Sequence, residues 1–441
     1  MLNLRYIGRL LTAFIKRFKG ILIIGIIFGV VVFVGMRFAM PYLTQKKVEE
    51  VGLTGRYSIY NLPNDILSLV GDGLTKLDKS GAVVPDLATS WEQKDNGKIW
   101  TFHLRGISWQ DGSKLVSSDI EYNFGDVSIE RPDKHTIIFK LNSIFAPFPT
   151  VVAHPVFKKG LLGTGEWKVM NLSVVGSYVA ELKLQDKDGN VKIFKFYPSE
   201  ERTKLAYKLG EVNELQDITD IKPFEAWKTV NIKPAVNEDR YVAVFFNTSD
   251  NILSDKDLRQ ALSYAINKND LSNDRAYGPI SPNSWAYNAQ LKPYDYDVER
   301  AKELIAKSKI DNATKKDLKI KLVATPVLLN IAEKIAKNWE EVGVKTTVQV
   351  VSVLPPDYQA FLVTYDIPKD PDQYSTWHSK DLPTNISHYE NPRISKLLED
   401  GRLELDSEQR KKIYLDFQRF LVEDAPAAFL YHPISYTITR K

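Results

Sequence analysis

The chain has 441 residues, of which 44% are hydrophobic, 11% aromatic and 26% charged, ordinary globular material with room for two or three lobes. Its formal charge of +4 comes from residues 1–47, which hold eight Lys and Arg and no acid; the remainder has 51 basic against 55 acidic residues, a mixed balance that argues against nucleic acid. The absence of cysteine excludes disulfide staples, a thiol nucleophile and a lipoprotein anchor.

Residues 20–36 (GILIIGIIFGVVVFVGM) carry no charge, and at about 1.5 Å per residue they nearly cross a hydrocarbon layer of about 30 Å. Arg37 can snorkel outward and extend the usable span through Met40. Arg5, Arg9, Lys16, Arg17 and Lys19 precede the run, so the positive-inside rule keeps that end in the cytoplasm and puts the rest outside. A cleaved signal peptide would need a small-x-small site, which Arg37-Phe38-Ala39-Met40 supplies poorly. The expectation is one uncleaved transmembrane helix at the cell membrane, with the bulk of the chain extracytoplasmic. Residues 41–54 read as a polar tether, residues 55–62 as the first strand and residues 65–74 as a short apolar helix stopped by glycines.

Residues 83–124 are dense in turn chemistry. Asn96-Gly97, Arg105-Gly106 and Asp111-Gly112 each put a glycine, which reaches positive φ without strain, between extended runs. Between the first two, Trp100, Phe102 and Leu104 alternate with Ile99, Thr101 and His103, the period of a half-buried strand with aromatics on its core face. Ser117-Ser118-Asp119 is N-cap chemistry for a short helix presenting Ile120 and Phe124. In this order and at this spacing, PDLATSWE, WTFHLR, ISWQDG and SSDIEYNF resemble the signature of the family 5 extracellular solute-binding proteins, receptors of oligopeptide, dipeptide and nickel ABC importers. The resemblance implies an α/β fold of the periplasmic-binding-protein type II, with two large lobes joined by a hinge and an extra lobe. Members usually carry a long helical insert before the hairpin at residues 127–141; only Gly125-Asp126 stands there, so the extra lobe is expected to be reduced.

Further along, Arg131-Pro132-Asp133-Lys134 reads as the turn of that hairpin. GLLGTGEWK at 160–168 has glycines at P-loop distance, but Glu166-Trp167 replaces the Lys-Ser/Thr that a phosphate loop needs; in the family it resembles, a similar GTG opens a strand. Residues 178–184 and 191–196 read as strands and 200–209 as a helix; 241–247 (YVAVFFN) is an apolar strand crossing into a third lobe. Ser254 and Asp257 stand near capping-box spacing before a stripe of Leu258, Ala261, Leu262, Ala265 and Ile266. Residues 318–324, 328–342 and 346–351 form a βαβ unit, hence parallel. Two more helices follow at 391–401 and 407–422, and the tail 427–439 returns as a strand. The expected division is 1–47 for the stub, anchor and tether; 48–73, 163–240 and 425–441 for lobe I; 74–162 for the reduced lobe II; and 241–424 for lobe III.

Few residues carry chemistry. His103, His135, His154, His378, His388 and His432 are scattered without an HExxH or an i, i+4 pair, and there is no G-x-S-x-G elbow, so neither a metal site, a cofactor nor an enzyme is expected. The most informative stretch is 365–385 (YDIPKDPDQYSTWHSKDLPTN), whose prolines and acids break any periodicity and make it an ordered loop after the third lobe's sheet. Acids interleaved with Tyr374, Trp377 and His378 suit a peptide, since rings cover apolar side chains and carboxylates meet an ammonium terminus. The alternative is a loop whose aromatics plug the core beneath it. By the resemblance, an Asp three residues before the loop's acid-Pro pair, preceded by Trp, holds a peptide's α-amino group; here Ile367 stands at that distance from Asp370, Asp366 lies one further back, and the Trp is missing. The expected ligand-binding set is Asp366, Asp370, Asp372, Tyr374, Trp377, His378 and Asn385. Asp366 takes the amine role through a one-residue bulge, with Asp370 and Asp372 as alternatives. The implied function is capture of oligopeptides by a monomer that serves ABC permease subunits. A membrane-anchored sensor and a receptor for a nickel chelate are the alternatives.

Overall fold

The computed structural model describes residues 47–441 and, before them, positions 17–20, 25, 27–30, 32 and 33. The apolar run expected to cross the membrane lies largely outside the described residues; among those described, no helix is long and apolar enough to span a membrane.

Lobe I is a seven-stranded sheet of β1 (Val48–Thr54), β8 (Lys168–Val175), β9 (Tyr178–Gln185), β10 (Val191–Tyr197), β11 (Glu214–Ile218), β12 (Val230–Val236) and β18 (Ile434–Arg440), in the order β12-β18-β11-β1-β10-β9-β8. Its central strand corrects the sequence reading, because residues 48–54 are not tether. They run parallel to β10, Val48 opposite Val191 through Thr54 opposite Tyr197, with β11 on the other side. Val51 is buried, and Glu49 and Glu50, which look solvated in sequence, meet Lys192 and Lys195 across the ladder at 3.0 and 3.4 Å. Residues 55–62, expected as the first strand, are a loop with a single turn at Ile59–Asn61.

Lobe II holds β2 (Thr75–Leu77), β3 (Val83–Pro85), β4 (Ala88–Lys94), β5 (Ile99–Leu104), β6 (Val127–Asp133) and β7 (Thr136–Leu141), the last four forming a sheet in the order β4-β5-β7-β6. Trp100, Phe102 and Leu104 enter its core, as their alternation predicts, beside Phe139 and Phe148. Gly97 and Gly112 have φ of +83° and +84°, whereas Gly106 is not among the residues of positive φ. The helix expected after Ser117 stops at one turn, Ser117–Asp119. Arg131 explains why: Nε donates to Ser117 O and Nη2 to Ile120 O, which occupies carbonyls that a continuing helix would use. The second hairpin turns at Lys134-His135 rather than Arg131–Lys134, and Asp133 accepts from His135 N.

Lobe III is built on β13 (Arg240–Phe246), β14 (Lys319–Ala324), β15 (Lys345–Val350), β16 (Ala360–Asp366) and β17 (Ala427–Tyr431), in the order β15-β14-β16-β13-β17. β14 and β15 are parallel across the helix Leu329–Glu341, as the βαβ reading requires. The helix Lys256–Tyr264 is capped by Asp255, which accepts from Leu258 N, not by Ser254. The tail is two strands instead of one: Ala427–Tyr431 pairs with β13 in lobe III, and only Ile434–Arg440 returns to lobe I. Pro433 has no N–H to give to a ladder, so the chain changes sheets there. The two crossings between these lobes, at 237–239 and 432–433, are joined by Asn237 N to Pro433 O at 2.8 Å and make the hinge.

Candidate functional site

The site begins at the helix Asn64–Val70, whose exit is held by an unusually close backbone contact. A Cβ on Gly163 would lie 2.0 Å from Val70 O and one on Gly165 2.5 Å from Leu69 O, so only glycine lets the GTG segment pass. Gln110 Nε2 donates to Val70 O, Gly165 O and Trp167 O at 3.2, 2.8 and 2.9 Å, which joins lobe II to both segments. Beyond this junction a cleft of about 650 Å³ opens where the three lobes meet.

Each lobe supplies polar groups to it. Asp65, Ser68 and Asp72 come from lobe I's helix and its exit, Lys76, Asp86 and His154 from lobe II, Asp239 from the crossing between lobes I and III, and Lys369 from lobe III. Asp72 Oδ2 accepts from Thr164 Oγ1 at 2.7 Å. Asp86 lies 3.6 Å from Lys76 Nζ; burial first, and then the Asp72 carboxylate, raise its carboxyl above the usual aspartate range against the pull of that lysine. Burial also lowers His154, which favours the neutral imidazole. Lys369 pairs with Asp239 at 2.5 Å. Asp78, Lys79 and Ser80 complete the rim, and Asp78 Oδ1 holds the β2–β3 turn by accepting from Ser80 N and Ala82 N. Among the described residues, no Phe, Tyr or Trp lines the cleft. Five carboxylates and three ammonium groups around one cleft suit a ligand that carries charge of both signs.

The seven residues chosen from sequence do not line this cleft. Asp366 is at the hinge, 81% exposed, where Arg240 Nε meets it at 2.6 Å and Arg240 Nη1 meets Asp217 of lobe I at 3.1 Å. Asp370 forms a two-point pair with Arg410 at 3.0 and 2.6 Å, and Asp372 pairs with Arg402 at 2.8 Å. Tyr374 stacks on His378 at 3.8 Å between ring centroids, and His378 Nε2 meets Glu399 at 2.9 Å. Trp377 is fully buried, its Nε1 donating to Gln373 Oε1, and Asn385 is buried with its amide on Ser379 O and Tyr389 O. The loop thus plugs and braces lobe III. It also seats lobe II, through Thr150 Oγ1 to Asp370 at 3.2 Å, while Ala146 N reaches Arg402 O at 2.7 Å and Trp285 N reaches Ser80 O at 2.8 Å. Asp72 and Asp86, which line the cleft, are not among the seven. The available signal was Asp86 itself, an acid inside the otherwise apolar VVPDLA run.

Residues 82–385 match the profile of the bacterial extracellular solute-binding proteins, family 5 (middle). The chain is similar to the oligopeptide-binding protein AppA of Bacillus subtilis, 23% identical over 86% of this chain and 83% of that one. Its fold is similar to the ABC transporter substrate binding protein CtaP of Listeria monocytogenes, with a TM-score of 0.74 and 21% identity over 90% of this chain and 94% of that one. NikZ of Campylobacter jejuni, solved with Ni(L-His), gives a TM-score of 0.72 at 22% identity, over 90% and 95% of the two chains.

Proposed function

Since the chain belongs to the bacterial extracellular solute-binding proteins of family 5, we propose that it captures a short hydrophilic peptide in the cleft between its lobes and hands it to the permease of an ABC importer. The observation that carries the choice of ligand is the lining: both signs of charge, with Asp72 and Asp86 close enough to interact and no Phe, Tyr or Trp for a large apolar side chain to rest on. A peptide's ammonium end meets those acids and its carboxylate end meets lysine. Relatives named for oligopeptide and dipeptide binding support the class. We read the chain as a binder and not an enzyme, acting as a monomer anchored by residues 20–40, with the cleft outside the cell.

Calorimetry on the full chain tests this. Short peptides of small polar residues should bind, an N-acetylated copy should bind at least about tenfold more weakly, and bulky aromatic dipeptides should bind weakly too. Indifference to acetylation rules out recognition of an ammonium group. A second reading, a nickel chelate, is favoured by the neutral His154 imidazole at the cleft and by the relative solved with Ni(L-His). Tight binding of nickel-histidine, with no peptide bound, would select it.

A further inference from the structure

The end of lobe I at which β1 begins is a membrane-facing surface: we propose that it rests on anionic lipid headgroups and holds the cleft at the far side of the lobe. This rests on the proposal that residues 20–40 anchor the chain. Residues 41–47 are all that separate the apolar run from Val48, and seven extended residues reach at most about 25 Å. β1 itself has seven residues and spans about 23 Å at roughly 3.3 Å each. Turning the lobe over would use the whole tether along its own height, with lobe III, which hangs from the opposite end of the sheet, still in the way. The start of β1 is therefore the end nearest the bilayer.

Register identifies what else lies at that end. Val48 pairs with Val191, which places the β9–β10 turn and Lys187 there. β11 runs parallel to β1, which places the C-terminal end of the helix Glu200–Leu209, with Lys208 and Leu209, beside it. Val230 pairs with Arg440, which adds Lys228 and Lys441. These cations are exposed, and Leu209 stands among them with 67% of its surface open. The nearby acids are mostly engaged: Asp186 accepts from Asp188 N, Asn190 N and Asn190 Nδ2, and Glu211 accepts from the Tyr197 hydroxyl at 3.2 Å. Asp188 remains. Clustered lysines around a protruding leucine fit the charge and the shallow apolar boundary of an anionic leaflet.

The cysteine-free chain makes the test direct. Thr229→Cys at this end and Ser177→Cys at the β8–β9 tip of the opposite end, both exposed, each give one labelling site. The full chain is reconstituted into vesicles of phosphatidylglycerol and phosphatidylcholine bearing an acceptor dye on the headgroups. Energy transfer should be stronger from position 229 than from 177. The difference should shrink with Lys187→Glu, Lys208→Glu and Lys228→Glu combined, and in phosphatidylcholine alone, to what the tether by itself imposes. Equal transfer from both sites, in a chain that floats with the vesicles, overturns the proposal. Preference for 229 that ignores both lipid charge and the triple substitution overturns anionic lipid as the partner. A chain that does not float overturns the anchor, and this proposal with it.

Discussion

Asp370 and Arg410 form a fork-to-fork ion pair whose side chains are only 12% and 9% exposed, so neither charge has water to fall back on. Asp370→Asn should cost about 3–5 kcal/mol in chemical denaturation, because it strands a buried guanidinium. Asp366→Asn should change stability by less than about 1 kcal/mol, since its pair with Arg240 is solvent-exposed, and should leave ligand affinity unchanged. Asp86 behaves differently, its folded carboxyl being raised by burial and by Asp72. The folded chain then holds a proton that the unfolded chain has released, so this group's contribution to stability falls as pH rises through the window just above the ordinary value of 3.8. A bound ammonium group reverses the penalty by favouring the charged carboxylate. Cationic ligands should therefore bind more tightly as pH rises through that window, with proton release visible when calorimetry is repeated in buffers of different ionisation heat. Asp86→Asn should abolish the release.

Two elements carry specific loads. The GTG segment passes the exit of the helix Asn64–Val70 so closely that Gly163→Ala puts a methyl against backbone, which cannot move aside as a side chain would. We expect a loss of at least about 3 kcal/mol, the upper end for overpacking, read from the denaturation midpoint. At the end of the helix Lys256–Tyr264, buried Lys268 donates at 2.6 Å to Ser263 O, a carbonyl the helix leaves open, and at 2.6 Å to Tyr294 O in the loop beyond it. Burial, with help from Arg275, brings its ammonium down to about 7. The unfolded lysine keeps its proton to about 10.4, so between those values the unfolded state binds more protons and stability rises with pH. Measured against Lys268→Met, the wild type should gain stability from pH 7 upward. A flat difference across that range would remove the lysine from the argument.

Across the whole molecule, two strand-to-strand crossings join lobes I and III, while lobe II meets lobe III through hydrogen bonds at Thr150, Ala146 and Ser80, through Arg402 over the Phe145 ring and through Leu405 packed on lobe II's core. With only two chain crossings between lobes I and III, hinge rotation at 237–239 and 432–433 is the expected motion. Ligand should raise the melting temperature by binding only the closed form, and small-angle scattering should give a smaller radius of gyration with ligand than without it. Thr150→Val, which removes the hydroxyl that meets Asp370, should shift the unliganded protein toward the larger radius. Superimposable scattering curves would exclude a closing motion.

Local order was legible in the residues. Trp100, Phe102 and Leu104 declare their strand by alternation, the βαβ unit of lobe III by the change of period from two to 3.6, and the family by its motifs, because nearest-neighbour chemistry fixes these without reference to distant chain. β1 was not legible: Glu49 and Glu50 look like tether until Lys192 and Lys195, over a hundred residues away, come alongside to pair them. The same holds for the site. In sequence, Asp370, Asp372 and Trp377 look available to a ligand, and only folding brings Arg410, Arg402 and Gln373 to occupy them. Asp72 is unremarkable along the chain, Asp86 stands out only as an acid in an apolar run, and the two become neighbours only where lobes I and II meet, because partner choice for a charge is set by tertiary distance.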